Sequence, residues 1–294
     1  MYKIRAGIAV LLILQSLCLP QARGADTATA VFGDELGKQD EIYRSRGEQR
    51  PDGYVIDRSL LVYTYTLPDD FGRSLARLGA HDRWLDIGAG RGQAIVDYFN
   101  GSTDAMFPAA AARGEARAQV VAMSIEDRRT PLWNETAAGA GAGRMKYLSG
   151  KRLREYAPEE LGKFQIITDV IGGFSYTPNL SQFMERVLSI LERGGSFFTV
   201  LQDVHGDGAE NKPYYDGSPY LTEIATASGS EVRVCSWLKS IACVEVTCEF
   251  KAGWTPPIEV FGVRKVCNEV AVPPLVTIHY AAGTPPERGF RLGN

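Results

Sequence analysis

Short apolar runs recur along the middle of this chain, and the stretches between them carry apolar residues at helical spacing. Trp84–Ile87, Gln119–Ile125, Met145–Leu148, Phe164–Val170 and Ser196–Leu201 each read as a strand. Gln93–Phe99 reads as a helix after the first of them. Leu180–Arg193 is the clearest helix: Leu180, Phe183, Met184, Val187, Leu188 and Leu191 share one face. Asn179 and Gln182 suit a capping box at its start, and Gly194–Gly195 end it. Ahead of the first strand, Tyr54–Tyr65 is apolar and aromatic, and Pro68 opens a helix that runs through Leu75 and Leu78. The last third reads as four strands, Glu231–Leu238, Ala242–Phe250, Ile258–Val266 and Leu275–Tyr280. Residues 101–118 hold no clear element, and the Ala/Gly-rich stretch 135–143 reads as a loop. Strands alternating with helices predict an α/β fold, a doubly wound and mostly parallel sheet, with a β-rich, cysteine-containing C-terminal extension.

The first residues carry a different pattern. Lys3 and Arg5 precede an apolar core, Ala6–Leu14, and Ala22 and Gly24 place small residues before a cut at Ala25. That is the form of a secretory signal peptide, and its apolar run is short for a membrane span. The expectation is an exported protein, periplasmic or secreted, with no stable membrane insertion after cleavage. Cleavage removes Lys3, Arg5 and Arg23 and no acid, so the formal charge moves from −3 to −6. With no basic block, a small-molecule partner is expected rather than a nucleic acid. The chain then divides into a signal peptide (1–24), an arm with a cover helix (25–78), a core (79–204) and a cover loop with added strands (205–294).

Cys18 leaves with the signal. Cys235, Cys243, Cys248 and Cys267 remain, an even and clustered set that suggests two disulfides in an exported chain. Three pairings are open. A zinc site is the rival, although no Cys-x-x-Cys pair exists and His279 is the one histidine nearby.

Residues 84–93, Trp-Leu-Asp-Ile-Gly-Ala-Gly-Arg-Gly-Gln, carry the chemistry. An apolar strand ends in Asp86 and runs into a turn with Gly88, Gly90 and Gly92 before a helix. Glycines let a ligand approach bare main chain, and the helix start offers N–H groups. A dinucleotide fingerprint would need glycine where Gln93 stands. The spacing instead resembles motif I of the class I S-adenosylmethionine-dependent methyltransferases. Element order extends the likeness over residues 80–204, with Lys163–Leu201 resembling that family's fourth strand, helix and fifth strand. The resemblance implies S-adenosylmethionine as cofactor and methyl transfer to an unknown acceptor. It assigns Asp86, Gly88, Gly90, Gly92 and Glu126 to cofactor binding, and it places the Tyr54–Tyr65 stretch over the methionine end. It also implies an antiparallel edge pair, expected here in the last two strands, with the cysteine-bearing pair as an added hairpin.

The chain departs from the family at three places. Ser124 stands where an acid usually holds the ribose hydroxyls, with Glu126 two residues on. Lys151 stands where an acid often meets the adenine amine. Gln165 replaces a frequent Asp at the start of the fourth strand, a structural matter.

Methyl transfer asks mainly for alignment, and a general base only when the acceptor keeps a proton. Asp169 and His205 are the catalytic candidates. Asp203, His205 and Asp207 alternate, an arrangement open to a metal or to a polar loop. Residues 206–220 read as a cover, with Tyr214, Tyr215 and Tyr220 either lining an acceptor pocket or packing the loop down. Two rival functions remain: a binding protein on a scaffold that has lost its cofactor, and an exported metal-dependent hydrolase.

Overall fold

The computed structural model describes residues 58–102, 117–176, 180–202, 220–225, 231–251, 258–277 and 287–292. Two short helices come first, α1 (Leu60–Thr66) and α2 (Asp70–Arg77). Then follow β1 (Arg83–Ile87), α3 (Gln93–Asn100), β2 (Gln119–Met123), α4 (Pro131–Ala138) and β3 (Met145–Leu148). After a 3-10 turn come α5 (Pro158–Leu161), β4 (Phe164–Val170), α6 (Gly173–Tyr176), α7 (Leu180–Ile190) and β5 (Leu191–Gln202). The remainder is β6 (Tyr220–Ala225), β7 (Glu231–Val232), α8 (Val234–Ser240), β8 (Val244–Lys251), β9 (Ile258–Lys265), β10 (Leu275–Thr277) and β11 (Glu287–Leu292).

The main sheet has the order β3-β2-β1-β4-β5-β9-β8. Its first five strands are parallel, and β9 runs antiparallel to both β5 and β8. Both faces are buried. Leu85, Ile87 and Ile167 face the cluster built on α7 and α8, while Trp84, Ile166 and Phe198 face the one built on α1 to α4. This is the doubly wound, mostly parallel arrangement expected, closed on one side by an antiparallel pair. The chain reverses its winding between β1 and β4, and in open α/β sheets ligands bind at that switch point, outside the carboxyl ends of the strands. A second sheet, β10-β11-β6-β7, is built from the C-terminal extension.

Several expectations need correction, among them the loop expected over 135–143, whose first four residues lie in α4. The edge pair is β8 and β9, not the last two strands: β9 is buried on both faces and needs a neighbour on each side, whereas β8 alternates like an edge. Leu275–Thr277 belongs to the second sheet, and 278–280 lie outside the described residues. Glu231–Leu238 is not a strand beyond β7, because Val234, Trp237 and Leu238 fall on one buried face of helix α8. The helix from Leu180 stops at Ile190, before the double glycine. Leu191 already pairs with Phe164, and the Nζ atoms of Lys265 and Lys163 take the carbonyls of Leu188, Leu191 and Ser189 around the helix end.

The cysteines pair as Cys235–Cys248 and Cys243–Cys267, with Cα separations of 6.1 and 5.2 Å. The first bridge fastens α8 to β8. The second joins the chain on either side of the β8–β9 pair. There is accordingly no separate cysteine-bearing hairpin. Among the described residues no helix is long and apolar enough to cross a membrane, and no group of His, Cys, Asp and Glu is placed to hold a metal ion.

Candidate functional site

The side-chain period of two along β1 turns Trp84 and Asp86 to one face. Asp86 therefore points under α1 and is fully buried. Tyr63 donates to both of its carboxylate oxygens at 3.0 Å, and Thr168 on β4 donates to Oδ1 at 2.7 Å. Trp84 Nε1 donates in turn to the Thr168 hydroxyl at 2.8 Å. Burial pushes Asp86 up to about 7, against the downward pull of Thr168, Tyr63 and the nearby Arg58 charge. Burial and the Asp86 charge also hold the Tyr63 phenol well above its ordinary value. The carboxylate assigned to cofactor contact is thus occupied by protein donors. Tyr63, Thr168 and Arg58 are the partners that sequence reasoning missed. The aromatic run 54–65 was the available signal for Tyr63.

Asp169, one residue before the end of β4, lies on the opposite face and is also fully buried. Its oxygens accept from the Gly172 N–H at 2.8 Å and the Phe174 N–H at 3.0 Å, so it shapes the turn into α6. Burial raises it to about 7 against those two bonds. An acid so enclosed organises the loop rather than meeting an acceptor. His205, Asp203, Asp207, Tyr214 and Tyr215 lie outside the described residues.

The glycine turn behaves as the sequence implied in one respect: Gly88, Gly90 and Gly92 all have positive φ, at 70°, 56° and 78°. Each has its own surroundings. Gly88 is exposed, at the switch point, and a Cβ there would lie 2.9 Å from the Gly172 Cα. The loops after β1 and β4 meet at these two glycines, next to Ile171, a β-branched residue held at φ 55°. Gly92 starts α3 beneath Trp133 of α4, whose ring a Cβ would meet at 2.4 Å. Gly90 is buried, and its carbonyl accepts from Tyr147.

Past β2, Glu126 is exposed and paired with Arg128, while Asp127 is bound by Arg129. The Ser124 side chain lies beside the Tyr147 phenol. Lys151 is exposed, 3.9 Å from Glu160 and 5.1 Å from the Tyr156 ring centroid. Gln165 accepts from the Arg83 N–H at 2.7 Å, the structural role expected of it. A hollow of about 640 Å³ lies at the other end of the strands. Its arginines are engaged, Arg264 by Glu245 at 2.9 Å and Arg193 by the Val266 carbonyl.

No known family model matches this chain, and no curated protein does. Among solved structures, an rRNA methylase from Streptococcus thermophilus is 11% identical over 73% of this chain and 100% of its own, with a TM-score of 0.42. The cyclase SpnF is 13% identical over 67% and 78%, at 0.42. A possible exported protein from Bordetella parapertussis is 13% identical over 75% and 77%, at 0.43. The fold rests on the strand order given above and not on these likenesses.

Gly88 is exposed at the switch point, and Glu126 on the β2 loop is exposed with its carboxylate paired to Arg128. Asp86 makes no contribution at the surface.

Proposed function

We propose that the chain is an exported S-adenosylmethionine-dependent methyltransferase acting on a small molecule. The observation that carries the reading is the coincidence of three things at one point: the switch between β1 and β4, a glycine turn with three positive φ values, and an exposed acid at the exit of β2. Gly88 and the main chain around it would hold the cofactor, and Glu126 the ribose hydroxyls. The cofactor supplies a methyl group already activated on sulfonium, so the protein's part is alignment and exclusion of water. Export is supported by the pattern Lys3, Arg5, Ala6–Leu14, Ala25 and by the two disulfides. The negative charge favours a small acceptor over nucleic acid.

A second reading, a binding protein on the same scaffold without the cofactor, is favoured by one observation. Asp86 and Asp169 are both engaged within the protein. Export also separates the chain from a cofactor made in the cytoplasm. Calorimetric titration of the mature protein with S-adenosylmethionine and S-adenosylhomocysteine decides between them. Binding that Glu126→Ala weakens by about 1–3 kcal/mol, the loss of a charge-assisted hydrogen bond, supports methyl transfer. No binding of either compound by the wild type leaves the second reading.

A further inference from the structure

Tyr147 lies on β3, two strands away from β1, yet its phenolic oxygen reaches the glycine turn. It donates to the Gly90 carbonyl at 2.5 Å. The same oxygen accepts from the Arg128 N–H at 3.3 Å and lies 3.3 Å from the Glu126 carbonyl, with the Ser124 side chain beside it. The ring stands edge-on to Trp133, with centroids 5.3 Å apart, and Trp133 in turn lies over Gly92. One hydroxyl thus holds both the glycine turn and the loop 124–128. These are the two segments to which the reading above assigns the cofactor.

We infer that Tyr147 is a positioning residue that sets the glycine turn and the Glu126 loop at the spacing an adenosine-bearing ligand requires. The inference rests on the methyltransferase reading. Its geometry is simple. In a trans peptide the carbonyl and the following N–H point in opposite directions. Fixing the Gly90 carbonyl on Tyr147 therefore aims the Arg91 N–H away from β3. Holding the Arg128 N–H fixes the path of the loop on which Glu126 stands. Ser124, at the position where the resemblance expects an acid, lies beside this same oxygen, and the acid is displaced to Glu126.

Tyr147→Phe removes the hydroxyl and keeps the ring against Trp133. The test titrates S-adenosylhomocysteine into the wild type, Y147F, E126Q and the double variant, and follows hydrogen exchange of each without ligand. Y147F is expected to weaken binding about tenfold, the scale of one hydrogen bond. Amide exchange should rise together in residues 88–92 and 124–129. On the E126Q background the further loss from Y147F should be smaller, because the part made through Glu126 is already gone and only the part made through the glycine turn remains. Ser124→Ala, which removes the hydroxyl beside the same oxygen, should give a weaker form of the same pattern and serves if Y147F does not fold. Unchanged affinity in Y147F where the wild type binds, exchange rising in only one loop, or fully additive losses would each overturn the inference. A wild type that binds no S-adenosylhomocysteine would instead sink the methyltransferase reading, and this inference with it.

Discussion

Tyr63 and Asp86 face each other across the junction of α1 and β1, the phenol donating to both carboxylate oxygens at 3.0 Å. A helix outside the β/α repeat is thereby fastened to an inner strand of the sheet. Asp97 of α3 makes a second tie, accepting from the Leu60 N–H at 2.9 Å. The acid of the glycine motif belongs to this fastening.

Tyr63→Phe should destabilise the protein by about 1–3 kcal/mol at pH 8, where Asp86 is ionised and accepts a charge-assisted bond. At pH 5.5, with Asp86 protonated, the loss should be smaller. Urea denaturation at the two pH values measures both. Equal losses at the two pH values would mean that the charge on Asp86 adds nothing to the bond with the Tyr63 hydroxyl.

Asp86 and Asp169 both hold protons in the folded state up to about pH 7, far above the ordinary carboxylate value. The folded protein therefore binds more protons than the unfolded chain between roughly pH 4 and 7. Each acid makes stability fall as pH rises through that window, by at most about 1.4 kcal/mol per unit. Asp86→Asn should flatten this slope and gain stability relative to the wild type above pH 7. Denaturation midpoints from pH 4.5 to 8 check it, and a slope unchanged in D86N would show that the acid is ionised throughout.

Gly92→Ala should destabilise the fold by about 2–4 kcal/mol. The new Cβ meets the Trp133 ring at 2.4 Å, and the backbone sits at φ 78°. Trp133→Leu in the same chain should recover the part due to the clash and not the part due to φ. Thermal unfolding of the two single variants and the double separates the terms. Purely additive losses would rule out the steric account.

The β1–turn–α3 unit was legible because its signals are local: an apolar run, then glycines whose φ values only glycine adopts cheaply. The parallel core followed from the alternation of elements. Roles set by distant contacts were not legible. Nothing near Asp86 announces Tyr63, 23 residues earlier, or Thr168, 82 residues later. Of the expected edge pair, Ile258–Val266 is right and its partner is wrong, although the pattern is present. Val260, Phe261 and Val263 form a run suited to a strand with two neighbours, while Val244, Val246 and Cys248 alternate. Val234, Trp237 and Leu238 likewise carried helical spacing inside a segment read as a strand.

The two disulfides give a prediction of connectivity as well as of number. Cys235 lies in α8 and Cys248 in β8, 13 residues apart, and Cys243 and Cys267 bracket β8 and β9 at a separation of 24. Both bridges fasten the outer strand of the main sheet, where β8 has β9 as its neighbour on one side only. Restricting the unfolded chain over loops of this length contributes about 3 kcal/mol each on the entropic account. Mass spectrometry of the unreduced protein from the exported fraction should show a loss of about four hydrogens, two for each bridge. Proteolysis should yield linked peptides containing Cys235 with Cys248 and Cys243 with Cys267. Cys243→Ser with Cys267→Ser should release the β8 side while leaving α8 attached, seen as faster amide exchange in residues 258–265 and 244–251 than in 180–190. Peptides linking Cys235 to Cys243 would refute the arrangement of α8 against β8, and four free thiols would remove the support the cysteines lend to export.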